Sequence, residues 1–446
     1  FKKIPGSPIA YWVSDKVRKI FEKGIPFKDI GFPNVGMQTS NNDMYLRLWY
    51  EINHDEFNEE TSKPPKWIKY LKGGPFRRWY GNLDYLLRYN RNPNFIRKQK
   101  NATVLEESKL QAPKCTWTDL TSGAFSARYV PNDTFHDISG HCFYPNQSNQ
   151  YWLLGFTNTK QFGYFISIIN SSFHFQVGDV GKTPILQVNK DVVTGIVKNL
   201  IDKSKFDWDS FETSWDFSEF PMLSKELNGK AVKESYLNWE KQCSNNIAGM
   251  KELEEENNRL FIEAYNLQDE LTPDVTENQI TLARADKEED TKRLVSYSVG
   301  CMMGRYSLDQ KGLVYAHAGN DGFDHNKYKT FPADDDGIIP ITNTEWFDDD
   351  AACRFFNFIE TAWDKDTLEN NLEFVTDAIG RKTNESSRDS IRRYFVNGFF
   401  KDHLKTYKKR PIYWLFTSGK ENAFQALVYL HRYNEGTLSR MRTEYV

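Results

Sequence analysis

The 446-residue chain has few cysteines and no long apolar runs. Its five cysteines are widely separated and form no CxxC pair, which argues against a disulfide framework and fits a reducing cytoplasm. Apolar stretches such as Ile412–Phe416 fall far short of the ~18–20 residues of a membrane helix. Residues 1–5 form neither a secretion signal nor a transit peptide. These features predict a cytoplasmic protein with no membrane partner.

Motifs for a bound cofactor are missing as well. No GxG turn occurs among the 26 glycines, and Asn92–Phe95 lacks the second proline of an amino-methyltransferase loop. The string Gly178–Thr183 has Gln176 where a phosphate loop needs its first glycine, so an ordinary turn is favoured. We therefore expect no cofactor-binding residue on this chain.

Metal-ligand and catalytic patterns are equally incomplete. The aspartate runs Asp334–Asp336 and Asp348–Asp350 lack the regular spacing of a cation loop. The pair His141–Cys142 has no second pair to complete a zinc site. The sequence therefore predicts no metal site and no catalytic residue here.

Apolar and aromatic residues are abundant, at 39% and 15%, so extensive disorder is excluded. At roughly 100–200 residues per domain, the length predicts two to four domains. Changes in pattern divide the chain into residues 1–205, 206–304 and 305–446. The expected class is α+β, with a mixed α/β first region, a helical arm and a mixed C-terminal domain.

Local signals place some elements in the first region. Ser14 is the predicted N-cap of a short helix that buries Val17, Ile20 and Phe21 and ends at Gly24. Further on, apolar residues alternate with polar ones over 125–129, which predicts a half-buried strand.

The later regions are expected to be more helical. From Val232 to Leu271, apolar residues recur at three- and four-residue steps, which predicts one long amphipathic helix, or two with a break. Pro273 is predicted to end this helix, and Thr276–Gln279 matches a capping box that would open a second helix. Glu421–Tyr433 is predicted to be helical, and Phe331–Pro340 to be a loop.

Charge is unevenly distributed, although the net charge is only -3. Residues 66–100 carry ten basic side chains opposed by Asp84 alone, with eight aromatic residues between them. Residues 206–223 carry five acids and no base. We expect the basic and the acidic stretch to lie on different surfaces.

A basic stretch interleaved with aromatic rings suits nucleic acid. Lysine and arginine neutralise phosphates, and flat rings or guanidiniums stack on exposed bases. The segment Lys72–Gly81 places Arg77 and Arg78 between glycines and aromatic residues, in a predicted loop that could enter a groove. The alternative, a solvated face over a core of aromatic rings, is about equally supported by composition. Arg128 in turn fits either a buried ion pair or a DNA contact.

Five blocks of the sequence favour DNA binding over the solvated face. In order and spacing they resemble the PglX-type adenine-specific DNA methyltransferases of BREX phage-defence systems. The blocks are residues 4–14, 35–43 with 47–49, 72–81, 117–131, and 409–416 with 431–433 and 438–443.

The resemblance implies that the chain holds the family's target-recognition and C-terminal regions. The block Gly36–Asn42 is similar to the G-x-x-TG-x-N start of recognition regions, with Ser40 where glycine is usual. Residues 173–179, leading to Pro184, resemble the end of that region. The cofactor motif and catalytic loop, which the family carries upstream, are absent, so the chain resembles the C-terminal part of such an enzyme.

The resulting hypothesis is a target-recognition module for double-stranded DNA. It would act beside an N-terminal methyltransferase domain, and with other defence-system subunits, in transferring a methyl group from S-adenosylmethionine to adenine N6. The predicted base-reading residues are Gln38, Asn41, Asn42, Arg77, Arg78 and Arg128. The predicted phosphate contacts are Lys66, Lys69, Lys72, Arg88, Arg91, Lys98 and Lys100.

A second hypothesis is a protein-interaction scaffold within a defence complex. The helical arm over 230–304 and the acidic stretch 206–223 would then bind partner subunits. Salt dependence distinguishes the two hypotheses, because binding through several phosphates weakens steeply with salt. A nuclease is disfavoured because no metal–carboxylate arrangement stands out.

Overall fold

The computed structural model describes residues 4–5, 12–57, 66–90, 94–121, 123–419 and 424–445. Helices and several small sheets are mixed along the chain, so the predicted α+β class is confirmed. No helix in these ranges is long and apolar enough to cross a membrane.

The chain forms two compact units, each built from separated segments. The first unit comprises Phe1–Leu48, Lys63–Trp208 and Asn245–Ala283; the second comprises Trp49–Ser62, Asp209–Ser244 and Arg284–Val446. This grouping differs from the three successive regions expected from the sequence, because residues 206–304 contribute to both units.

Among its described residues, the first unit contains ten strands and most of the short helices. The strands are β1 (Ile25–Pro26), β2 (Pro33–Asn34), β3 (Leu46–Leu48), β4 (Trp67–Leu71), β5 (Tyr85–Arg88), β6 (Cys115–Trp117), β7 (Ala127–Tyr129), β8 (Thr134–His136), β9 (Cys142–Phe143) and β10 (Pro184–Ile185). The helices are α1 (Asp15–Lys23), α2 (Lys28–Gly31), α3 (Asn42–Tyr45), α4 (Asn94–Arg97), α5 (Ser108–Gln111), α6 (Gln150–Thr157), α7 (Lys160–Ile169), α8 (Val177–Val180) and α9 (Lys190–Asp209).

Helix α1 confirms the capping prediction. The Ser14 hydroxyl accepts a hydrogen bond from Val17 N at 3.2 Å, and Gly24 follows the last helical residue. The three predicted core residues, Val17, Ile20 and Phe21, are buried.

One four-stranded sheet has the order β3-β5-β4-β8, with β8 parallel to β4 and the other pairs antiparallel. Successive side chains of a strand point to opposite faces, so alternate residues of these strands share a face. One face packs into a core that includes Leu46, Ile68, Tyr70, Leu87 and Phe135. The residues between them, described below, lie on the other face.

A second sheet has the order β2-β9-β6-β7 and is antiparallel throughout. Strand β7 confirms the strand predicted over 125–129, but its polar residue is not exposed. Arg128, opposite Thr116 on β6, is 1% exposed, so both faces of β7 are covered. Alternation in the sequence thus predicted the strand correctly and the exposed face wrongly.

The predicted long helix is α10 (Val232–Ala264). It ends before Pro273, because Asn266 takes a left-handed conformation (φ 54°) and Leu267 N bonds to Ile262 O at 2.9 Å. The capping box at Thr276–Gln279 is present, but it closes only one 3-10 turn. The next helix begins instead after Asp286, whose carboxylate accepts from Glu289 N.

Where it is described, the second unit is mostly helical, with one small antiparallel sheet. Its helices are α11 (Lys287–Met302), α12 (Ala351–Ala362), α13 (Leu368–Ile379), α14 (Ser387–Tyr394), α15 (Phe400–Thr406) and α16 (Thr437–Glu444), and a π-helical turn spans Phe395–Phe399. The strands are β11 (Ile338–Ile341), β12 (Tyr413–Thr417) and β13 (Gln425–Tyr429), in the order β11-β13-β12.

Two predictions for this unit are wrong. Residues 424–429 of the predicted helix Glu421–Tyr433 instead lead into and form the central strand β13, while 421–423 lie outside the described residues. All five residues of β13 are buried, and such a run lacks the alternation that distinguishes a strand from a buried helix. The predicted loop Phe331–Pro340 likewise ends within β11.

Candidate nucleic-acid interface

Two separate segments of the first unit pair to form an exposed polar surface. Gln38 and Thr103 exchange backbone hydrogen bonds, both of 2.9 Å, and the Ser40 hydroxyl donates to Lys100 O at 2.8 Å. This pairing brings the segment of Gln38, Asn41 and Asn42 beside the segment of Lys98 and Lys100. All five of these side chains are exposed. We call residues 38–42 and 97–103 together the amide–lysine surface.

The position of the amide–lysine surface depends on a very close approach between the backbone of residues 36–37 and that of residues 136–138. Met37 N donates to His136 O at 2.8 Å, and Ile138 N donates to Met37 O at 3.1 Å. A Cβ atom on Gly36 would lie 2.2 Å from Asp137 O, which is far inside van der Waals contact. Only glycine therefore fits at position 36 with this backbone path.

The backbone of Ser40 has a conformation that suits glycine. Its φ of 64° is left-handed, a conformation that glycine adopts freely and other residues rarely do. The Ser40 side chain adds the hydrogen bond to Lys100 O, which glycine cannot make.

The two asparagines use their carbonyl oxygens locally. Asn41 caps α3 by accepting from Met44 N at 3.0 Å, and Asn42 accepts from Thr39 Oγ1 at 2.8 Å. Within the described part of the chain, their Nδ2 groups have no hydrogen-bond acceptor, and neither has the Gln38 amide. These amides are therefore available to acceptors on a base edge or a phosphate.

A row of basic side chains lies on one sheet face. Arg47 on β3 is opposite Leu86 on β5, which is opposite Lys69 on β4, and Arg88 lies two residues further along β5. Because Leu46, Ile68 and Leu87 point into the core, these basic residues share the opposite face, where all three are half-buried. Arg47 was not among the predicted site residues; its position between Leu46 and Leu48 in a strand-like alternation is the signal that places it on this face.

The remaining predicted phosphate contacts are dispersed. Lys66, just before β4, is exposed, and Lys72, just after it, is half-buried. Arg91 lies outside the described residues.

Arg77 and Arg78 are held by internal ion pairs. Arg77 Nη2 lies 2.8 Å from Asp207 Oδ2 on α9, and Arg78 Nη1 lies 2.7 Å from Glu254 Oε2 on α10. Glu254 also accepts from the buried indole Trp79 Nε1 at 2.7 Å. Arg77 and Asp207 thus join the basic and acidic stretches at one point, although the rest of the acidic stretch, residues 209–223, belongs to the second unit. The expectation that the two stretches lie on different surfaces stays a prediction.

Arg128 lies beneath the loop that carries these arginines. It donates to Arg77 O at 3.2 Å and to Thr118 Oγ1 at 3.3 Å, and no carboxylate among the described residues pairs with it. Burial lowers the pKa of its guanidinium to about 10. Base reading by Arg77, Arg78 and Arg128 stays a prediction, but in this structure their guanidiniums contact protein groups.

The geometry divides the predicted residues into two sets. The exposed amides and lysines form a surface that is accessible to a polyanion. The ion pairs and hydrogen bonds of the three arginines attach the loop 72–81 to neighbouring protein groups. No cluster of three or more His, Cys, Asp or Glu side chains that could hold a metal ion was found in the described ranges.

Comparisons with known proteins identify relatives of the whole chain. No family model matches it. The adenine-specific methyltransferase BrxX of Escherichia coli O9:H4 (strain HS) is 40% identical over an alignment that covers 100% of this chain and 39% of the relative. The adenine-specific methyltransferase PglX of Lacticaseibacillus casei (strain Zhang) is 35% identical, covering 100% of this chain and 38% of the relative. The chain thus spans about two fifths of the length of these relatives.

Proposed function

Since the whole chain is homologous to the C-terminal part of the BrxX and PglX adenine-specific methyltransferases, we propose that it is the part of such an enzyme that recognises the DNA sequence. The observation that carries this proposal is the backbone pairing of Gln38 with Thr103. This pairing places side chains suited to bases beside side chains suited to phosphates, on one exposed surface.

Lys98 and Lys100 supply the phosphate contacts closest to the amides. Lys66, Lys69, Lys72 and Arg88, joined by Arg47, extend the basic surface along the sheet. Such contacts set the register of a protein on the duplex and carry most of the salt-dependent affinity.

Gln38, Asn41 and Asn42 read base edges in this proposal. Glutamine and asparagine amides pair with adenine N6 and N7 in the major groove. The Nδ2 donors left over by the local bonds of Asn41 and Asn42 suit acceptors such as N7. Arg77, Arg78 and Arg128 act here as positioning residues, because their hydrogen bonds hold the loop 72–81 against α9 and α10.

The full-length enzyme would transfer a methyl group from S-adenosylmethionine to adenine N6 in cytoplasmic phage defence. The described sheets do not suit that cofactor, since β4–β8 is the only parallel pair among their strands, and cofactor sheets of this kind are mostly parallel. The cofactor would therefore bind in the upstream part of the enzyme, and this chain would present the DNA to it.

Fluorescence anisotropy of this chain with duplex DNA over a salt series tests the proposal. We expect binding that weakens steeply with salt, and a lower slope for the double variant Lys98→Ala/Lys100→Ala, by ~0.9 per lost phosphate contact. The matched control is Lys233→Ala/Lys241→Ala, two exposed lysines on α10 in the second unit. Equal slopes in both double variants, or binding insensitive to salt, would reject the surface and favour the scaffold hypothesis.

Base reading has its own test. Gln38→Ala and Asn42→Ala should relax the sequence preference selected from random duplexes, at ~1–3 kcal/mol per lost base contact, with the salt slope unchanged. Unaltered preference in both variants would remove these amides from the reading set.

A further inference from the structure

The second unit contains a cavity of about 280 Å³ that is separate from the DNA-binding surface proposed above. Six aromatic residues contribute to its walls: Phe211, Phe217, Phe220, Tyr297, Tyr394 and Phe399. Phe220 and Tyr297 stack with ring centroids 5.6 Å apart. Since one water takes ~30 Å³ in the liquid, a single bridging water cannot fill this space. The cavity is large enough for a flat ring system.

Two buried side chains on the cavity wall, Glu212 and His403, each have one polar atom without a hydrogen bond among the described residues. Glu212 is 8% exposed, and its Oε1 contacts Ser296 Oγ whereas its Oε2 has no hydrogen bond. His403 is 3% exposed, and its Nε2 accepts from the backbone amides of Ile412 and Tyr413, both at 3.1 Å. A neutral imidazole that accepts at Nε2 carries its proton on Nδ1, and that donor has no acceptor.

Burial keeps this imidazole neutral, because desolvation lowers the pKa of His403 to about 3. The cavity wall thus offers one unsatisfied acceptor and one unsatisfied donor. Unsatisfied buried groups of this kind are costly, so a ligand that supplies the complementary pair gains their pairing energy.

The charges on the cavity wall balance. Three cations, Lys292, Arg293 and Lys405, face three carboxylates, those of Glu212, Glu289 and Asp402. Two pairs of these wall residues lie close together, with Lys405 3.3 Å from Glu289 and Lys292 3.8 Å from Asp402. A wall with no net charge selects neither an anion nor a cation.

We propose that this cavity binds a neutral planar heterocycle with an amino group beside a ring-nitrogen acceptor, the edge shared by adenine and cytosine. The amino group would donate to Glu212 Oε2, His403 Nδ1 would donate to the ring nitrogen, and the ring would lie among the aromatic walls. Proteins that recognise a nucleic-acid base also combine hydrogen bonds to the edge of the base with stacking on its ring. This site does not depend on the proposed DNA recognition.

Isothermal titration calorimetry of this chain with free adenine, cytosine and uracil tests the site. We expect saturable binding of adenine and cytosine, and at least tenfold weaker binding of uracil, whose ring nitrogens do not present that acceptor. Glu212→Gln should weaken adenine binding at least tenfold. The matched control Glu219→Gln changes an acid of the same segment that pairs with Lys311 and does not line the cavity, and it should leave binding unchanged.

A second variant keeps the test decisive if Glu212→Gln fails to fold. Thr406→Trp places a large ring at an exposed position on the cavity wall and should abolish adenine binding without disturbing a buried residue. Absence of saturable adenine binding to the folded wild-type chain would overturn the proposal. Equal binding of uracil, or unchanged adenine affinity in Thr406→Trp, would overturn it as well.

Discussion

Arg77 Nη2 lies 2.8 Å from the carboxylate of Asp207, and the two side chains are only 12% and 7% exposed. The Arg77 guanidinium also donates to three backbone oxygens, and the other Asp207 oxygen accepts from Ala283 N at 2.8 Å. This pair joins the basic loop 72–81 to helix α9. Because both ions are desolvated and their remaining polar atoms are paired, removal of one partner leaves a buried charge.

Asp207→Asn should therefore lower the free energy of unfolding by about 3–5 kcal/mol. Urea denaturation of the wild type and the variant measures the difference. Asp269→Asn is the comparison, since Asp269 forms an exposed pair with Lys16, and such exposed pairs contribute little to stability. Equal losses in the two variants would show that burial does not set the strength of the Arg77–Asp207 pair.

Gly36→Ala should destabilise the first unit strongly, because the added Cβ would collide with the backbone of Asp137. We expect a loss of several kcal/mol, at the upper end of single substitutions. DNA binding should weaken with it, since the segment 36–42 would shift.

Gly195→Ala is the contrasting change. Gly195 lies within α9 with open space around its Cα, so alanine should stabilise the helix by about 0.5–1 kcal/mol. Thermal unfolding of both variants checks the pair of predictions, and a tolerated Gly36→Ala would rule out the close backbone approach.

Ser40→Gly should be close to neutral. Glycine removes the cost of the left-handed backbone, about 1 kcal/mol, but loses the hydrogen bond to Lys100 O, which contributes about the same. Ser40→Val should cost more than either, because a β-branched residue suits a positive φ poorly. A valine variant as stable as the wild type in urea denaturation would contradict this conformation.

His136 should make the first unit less stable in acid. Burial lowers the pKa of its imidazole to about 3, whereas an unfolded histidine titrates near 6.5. Between these values the unfolded chain binds a proton that the folded chain does not, so stability falls as pH decreases below 6.5. From pH 7 to pH 5 this contribution is about 2 kcal/mol.

Comparison with His136→Gln isolates this contribution, because the variant has no imidazole to titrate at this position. Urea unfolding at pH 7 and pH 5 should show about 2 kcal/mol less pH dependence for the variant. Equal pH dependence of the two proteins would mean that His136 has the same pKa in the folded and the unfolded chain.

Several local elements were determined by the sequence alone. The N-cap Ser14, the apolar face of α1 and the long amphipathic helix α10 follow from interactions between residues three or four positions apart. Nearby residues set these features, so a pattern within a short window predicts them. The five family blocks likewise predicted the relatives that the comparisons found.

The candidate site was decided by tertiary structure. The sequence marked Gln38, Lys98 and Lys100 separately, but only long-range strand pairing brings their segments together. The sequence predicted an accessible Arg77 and left the role of Arg128 open. No short window of sequence shows that Asp207 lies beside Arg77 or that Arg128 is buried. Burial of charge depends on contacts between residues distant in sequence, and a local pattern does not record those contacts.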